Sequence, residues 1–131
     1  MAVLAKDYPA FKERLHDLLD RAILNTGSLG IALARLDGLL IAHRLGRADD
    51  ARLAAVMAAS ILGAVASVAL QLNQGDVNDV LVDCSRGKIV ALRAGPEAAM
   101  IAWCSSQANV GLVLLGLRAS ANEIARVLEA M

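Results

Sequence analysis

Leu53 to Gly75 reads LAAVMAASILGAVASVALQLNQG, without one charged side chain, and the way this run is covered decides the fold. At 100° per residue, Leu53, Met57, Ile61, Val65, Val68 and Leu72 gather within about a third of a helix circumference, wide enough to cover a sheet. The opposite arc carries Ala55, Ala59, Leu62, Gly63, Ala66 and Leu70. These are apolar and mostly short, where an ordinary surface helix shows Lys, Glu or Arg. A helix that is apolar all round has to be covered all round. The expectation is a helix whose larger side chains face a sheet and whose shorter ones meet a second protein surface, most simply another copy of the chain across a two-fold axis. The alternative is a central helix in an unusually helical monomer. The run also approaches the length of a membrane span. Its Ala and Gly content and the lack of an aromatic belt argue against insertion.

Upstream, Phe11, Leu15, Leu18 and Ala22 continue a helical stripe begun at Tyr8, with Asp7 as its cap and Asn25-Thr26-Gly27 as its end. Leu29 to Leu36 and Leu39 to Arg44 then flank Asp37-Gly38, the dipeptide of a tight two-residue hairpin turn. Asp49 or Asp50 is the expected cap of the uncharged helix, which ends near Asn73. Downstream, Val77 to Asp83, Lys88 to Arg93 and Ala98 to Cys104 are short apolar runs separated by Ser85-Arg86-Gly87 and Gly95-Pro96, the punctuation of three strands. The tail is open between two readings. Val110 to Leu117 is either a strand followed by a helix capped at Ser120, or the start of one helix running from about Asn109 to the end, with Gly111 and Gly116 inside it.

A chain of 131 residues with 57% apolar content fits a single domain over residues 1–131. Thirteen Lys plus Arg balance thirteen Asp plus Glu, so no basic surplus favours nucleic acid as a partner. The only aromatic residues are Tyr8, Phe11 and Trp103, which leaves no platform for stacking bases. Cys84 and Cys104 lack metal or redox spacing and read as small apolar residues of a reducing, cytoplasmic protein. The first residues show no signal-peptide core, so secretion is not expected.

Chemistry-bearing patterns are sparse. His16 and His43 have no second ligand at metal spacing, and no glycine motif cradles a phosphate. Neither a catalytic residue, a metal nor a cofactor is assigned. His43 acting with Cys84 as base and nucleophile is the remote enzymatic reading. Arg44, Arg47 and Arg52, with Asp49 and Asp50, form either a solvated loop or a rim that orients a protein partner. Trp103 reads as a core anchor before a binding hot spot.

The element order helix, hairpin, long Ala-rich helix, three-strand meander, helix resembles the Roadblock/dynein light chain family, which includes the MglB-type regulators of small Ras-like GTPases. Leu29-Gly-Ile-Ala-Leu-Ala-Arg-Leu-Asp-Gly-Leu-Leu-Ile-Ala42 resembles the family's first hairpin. Leu53 to Leu72 resembles its long helix, Val80-Leu-Val-Asp with Gly87-Lys-Ile-Val-Ala-Leu its next hairpin, and Ala108-Asn-Val-Gly-Leu-Val113 the entry to its last helix. The last match favours one helix in the tail. The resemblance implies a fold of α+β type: a five-stranded antiparallel sheet sandwiched by helices in the order α-β-β-α-β-β-β-α, a profilin-like Roadblock fold. It further implies a cytoplasmic homodimer that acts as a non-enzymatic scaffold, binds a small Ras-like GTPase and modulates its hydrolysis without an arginine finger. The dimer interface it implies combines Ala55, Ala59, Leu62, Gly63, Ala66 and Leu70 of the helix with the strand Val77, Asn78, Asp79, Val80, Leu81 and Val82. The alternative from another class is a small-molecule sensor of related three-layer fold, which would need a roomy apolar cavity.

Overall fold

The computed structural model describes residues 8–44 and 46–130. Helix α1 (Tyr8–Thr26) leads into β1 (Gly30–Arg35) and β2 (Leu40–Arg44). Helix α2 (Ala48–Gln71) follows, then β3 (Asp79–Cys84), β4 (Gly87–Arg93), β5 (Ala98–Ser105) and α3 (Val110–Glu129). The strands form one antiparallel sheet in the order β2-β1-β5-β4-β3. This is the element order and sheet expected from the sequence, with strand ends differing by one or two residues. The expected cap Asp7 lies outside the described residues, as does the side chain of Tyr8.

Strand alternation sorts the sheet into two unlike faces. On one, Ile31, Leu33, Val90, Leu92 and Met100 are buried under Leu15 and Leu19 of α1 and Leu117 and Ile124 of α3. On the other, Ala32, Ala91, Ala99 and Ile101 are buried under Ala51, Ala58 and Leu62 of α2. The first layer is built from branched aliphatics, the second largely from alanine on alanine.

Local chemistry accounts for the element ends. In the first hairpin the Arg35 amide donates to the Leu39 carbonyl and the Gly38 amide to that of Arg35, leaving a three-residue loop of Leu36, Asp37 and Gly38. The expected two-residue turn needs positive φ at both central residues. Only Gly38 has it, at 96°, so the chain takes the next hairpin class and shifts register after Leu33. Arg47 occupies the cap position of α2 without a side-chain cap, and Asp49 and Asp50 sit inside its first turn, where a carboxylate opposes the exposed amides. They act through the helix dipole and not as caps. The tail is one helix: the Asn109 side chain accepts from the Leu112 amide, and Ser120 is buried within the helix. Gly116 admits this packing, since a Cβ there would fall 2.7 Å from the Thr26 methyl at the end of α1.

Two ion pairs fasten helices to opposite sheet edges. Arg44 Nε donates to Asp20 Oδ1 at 2.8 Å, tying β2 to α1. Arg118 Nε donates to Asp79 Oδ2 at 3.0 Å, tying α3 to β3. Both involve half-exposed arginines and contribute about 1 kcal/mol or less. His16, one turn before Asp20, is held below its ordinary value by burial first and by Arg44 and Lys12 next, with Asp20 opposing them.

Two outcomes follow. Gly87 pairs with both Cys84 and Ser105, and a Cβ there would stand 2.8 Å from the Cys104 carbonyl oxygen. Gly87→Ala is expected to lower the urea-unfolding free energy by about 1–3 kcal/mol because backbone has to move. Because the fold disfavours the protonated form of His16, the unfolded chain takes up that proton at higher pH. Stability is therefore full above pH 6.5, the ordinary histidine value, and declines as the pH falls below it. His16→Gln flattens this slope in denaturation curves measured between about pH 5 and pH 8, a range that spans histidine titration.

Candidate functional site

The surface that needs an explanation is the outward side of α2. The helix has 24 residues, about 36 Å at 1.5 Å per residue, and its four fully buried positions, Ala51, Ala55, Ala58 and Leu62, all lie in its first fifteen. Beyond Leu62 it runs past the alanine floor, and its larger side chains point away from the sheet. Leu53 is 64% exposed, Val68 54%, Leu70 76% and Leu72 62%, with Val56 and Met57 also open. Solvent-facing apolar groups in this number, on one continuous helix, mark a surface that is covered in use.

This placement corrects the expected orientation. The bulky arc of Leu53, Met57, Ile61, Val65, Val68 and Leu72 was expected to meet the sheet; Ile61 is half-buried, and the other five face outward. Of the short arc, Leu62 packs on the sheet and Ala55 is buried as well, so both are closed to a partner. Ala59 and Ala66 are half-buried, and Gly63 and Leu70 are exposed. The reason is the opposing surface. Ala32, Ala91 and Ala99 form a shallow floor, and alanines on the helix let it approach closely enough to exclude water and make dispersion contacts.

β3 adds a second element. Among the described residues it is an edge strand, with β4 on one side and no strand on the other. Val80 pairs with Ala91 and Val82 with Ile89, so both stand on the α2 face of the sheet and are half-buried. Leu81, paired with Val90, turns to the opposite face and is 44% exposed. Of the expected interface strand, Val77 and Asn78 precede the strand proper, and the Asp79 carboxylate is engaged by Arg118. The half-covered strip beside α2 consists of Val80, Val82 and Ile89, and sequence reasoning missed Ile89. Its signal was the alternation in β4.

Two of the three arginines of the expected rim are engaged in ion pairs within the chain. Arg44 reaches across to Asp20 on the α1 side, Arg52 pairs with Asp49 within α2 at 2.7 Å, and Arg47 begins the helix. Trp103 is half-buried and lies over Gly30 of the neighbouring strand, where a Cβ would sit 2.0 Å from its ring, and near Gly46. His43 and Cys84 lie on β2 and β3, opposite edges of the five-stranded sheet, about 19 Å apart from strand spacing alone. They do not form a dyad. His43 carries a buried Nδ1 with no partner among the described residues. Burial raises the Cys104 thiol, with nearby Lys88 opposing, which keeps it protonated and unreactive. Three grooves at the surface of the described residues have volumes of about 720, 620 and 380 Å³. By length and composition α2 alone among the described helices is apolar enough to cross a membrane, with a mean hydropathy of 2.3 over its most apolar window, and it is seated on the sheet.

Comparison with known proteins agrees with this architecture. The Roadblock/LC7 domain model matches residues 15–102. The uncharacterized protein MJ0310 of Methanocaldococcus jannaschii is 27% identical over 111 residues, covering 82% of this chain and 96% of the relative. The gliding protein MglB from Thermus thermophilus superposes with a TM-score of 0.85 at 21% identity, covering 93% of each chain. A Roadblock/LC7 domain from Streptomyces avermitilis superposes at 0.81 with 17% identity, covering 86% of this chain and 95% of its own. The fold is thus the profilin-like Roadblock fold.

The two sides of α2 separate by substitution. Ala58→Asp places an unpaired carboxylate against the alanine floor and is expected to cost at least about 3 kcal/mol. Val68→Asp, on the exposed side, is expected to shift the unfolding free energy of the isolated subunit by about 0.5 kcal/mol or less, both read from urea denaturation below the concentration at which copies associate.

Proposed function

The chain belongs to the Roadblock/LC7 domain family, and from that membership we propose that it is a cytoplasmic homodimeric scaffold that binds a small Ras-like GTPase and modulates its hydrolysis without catalytic residues of its own. The observation that carries the dimeric half is the exposed apolar side of α2 next to the half-covered strip of Val80, Val82 and Ile89. A copy of the same helix is complementary to this surface: its own outward Leu53, Met57 and Val68 bury against their equivalents, and the free edge of β3 pairs with its twin to extend the sheet. Both elements lie on one side of the molecule and can be buried together.

The GTPase half rests on the family and on the likeness to MglB. With no assigned arginine finger, the scaffold would act by holding the GTPase in a hydrolysis-competent arrangement, a contribution of positioning. Covered in this way, the dimer keeps its α1 and α3 surfaces outward on both subunits.

In solution the protein is expected to weigh twice its 13.7 kDa chain mass at micromolar concentration, and the Met57→Asp, Val68→Asp double variant to weigh one chain while retaining its helical circular dichroism. A stable wild-type monomer ends the dimeric reading. Adding the protein to Ras-like GTPases from the same cell, loaded with GTP, is expected to produce a complex and altered hydrolysis. If none of them binds or changes its rate, the GTPase reading fails.

A further inference from the structure

The seam between α1 and α3, on the sheet face opposite α2, holds an open groove of about 720 Å³. The two helices run antiparallel, since Gly116 meets Thr26 at one end and Val127 shares the groove with Phe11 at the other. Half-buried Phe11 and Val127 form its apolar floor. Its rim carries Arg14 and Arg21 from α1 and Arg126 from α3, against one carboxylate among the described lining residues, that of Glu123. None of these three arginines makes an ion pair among the described residues.

The neutral chain has sorted its charges to produce this. Asp20 leans toward β2, where Arg44 binds it, and Asp17 lies in the electrostatic reach of the same guanidinium. Asp17 and Asp20 of α1 are thus turned to Arg44, while Arg14 and Arg21 line the groove. On α3, Glu129 lines a different groove beside Arg35 and Pro96.

We propose that this groove is a docking site for an acidic amphipathic helix of a partner protein, whose carboxylates meet Arg14, Arg21 and Arg126 and whose apolar stripe fills the floor over Phe11 and Val127. The charge pattern specifies the occupant. Arg14 and Arg21 stand seven residues apart, two helical turns or about 10.5 Å. A helix bearing Glu or Asp at i and i+7, with aliphatic residues at i+3 and i+4, presents carboxylates at that spacing and apolar groups between them. Each guanidinium offers a planar fork that binds a carboxylate in a bidentate manner, which fixes register as well as charge. A third helix also fits the shape, because two packed helices leave a furrow that takes another at about 8–10 Å. An anionic membrane would satisfy the arginines but, being flat, would leave the furrow unfilled. The site is independent of the α2 surface and of the GTPase reading, since it lies on the other face of the sheet.

The test uses a fluorescent synthetic peptide of about 20 residues, long enough to hold helix, with Glu at i and i+7 and Leu at i+3 and i+4, titrated with the full chain. Binding is expected to weaken between about 50 and 300 mM salt and to fall at least about tenfold in the Arg14→Glu, Arg126→Glu variant. Glu123→Gln, which removes a repelling carboxylate from the groove without touching the arginines, is expected to tighten binding. This second variant gives a gain that misfolding does not produce. The proposal is overturned if the peptide fails to bind, if a peptide with Lys in place of Glu binds equally well, or if neither variant changes affinity. It is also overturned if vesicles containing phosphatidylserine capture the chain through the same arginines while the peptide does not.

Discussion

Alanine packed on alanine is the contact from which the rest of this molecule follows. Ala51 and Ala58 of α2 lie on Ala32, Ala91 and Ala99 of the sheet, and short side chains on both surfaces bring helix and strands close together. Close approach replaces water by dispersion contacts over a flat area, even though each methyl buries little apolar surface by itself. The consequence is geometric. Once Ala51, Ala58 and Leu62 are committed to the sheet, Leu53, Val56, Met57, Val65, Val68 and Leu70 of the same helix have only the outside to occupy.

The opposite layer is built on another principle. Leu15, Leu19, Leu117 and Ile124 interlock with Ile31, Leu33, Leu92 and Met100, so bulky groups fill the space between two helices and the sheet. This layer buries its apolar residues within one subunit and leaves its outer surface to charge. The two sides of the sheet consequently offer different kinds of contact: apolar and strand-edge on the α2 side, arginine-rimmed on the α1 and α3 side. A scaffold of the kind proposed here benefits from that division, because association through one side leaves the other free.

Much of the fold was legible because its signals are local. The stripe from Phe11 to Ala22, the Asp37-Gly38 pair and the charge-free run from Leu53 each report backbone conformation through side-chain period or permitted φ. The tail was ambiguous from periodicity, since Val110 to Leu117 fits strand and helix alike, and the Asn109 cap resolves it. The candidate surface was legible only in part. A helix apolar on every side announced that something must cover it, yet hydrophobic bulk was a poor guide to which side meets the sheet. The clue lay in another element, the alternation of Ile31 and Leu33 with Ala32 and Ala34 in β1.

By itself, the sequence determined the elements, their order and the surplus of apolar surface on α2, because these depend on periods, turns and composition within short stretches of chain. Only the tertiary structure decided how those elements face one another: that alanine meets alanine beneath α2, that Arg44 pairs with Asp20, and that Arg14, Arg21 and Arg126 gather on one groove. The physical reason is that orientation is set by the shape of the opposing surface, which is assembled from residues distant in the chain and exists only after the strands have paired.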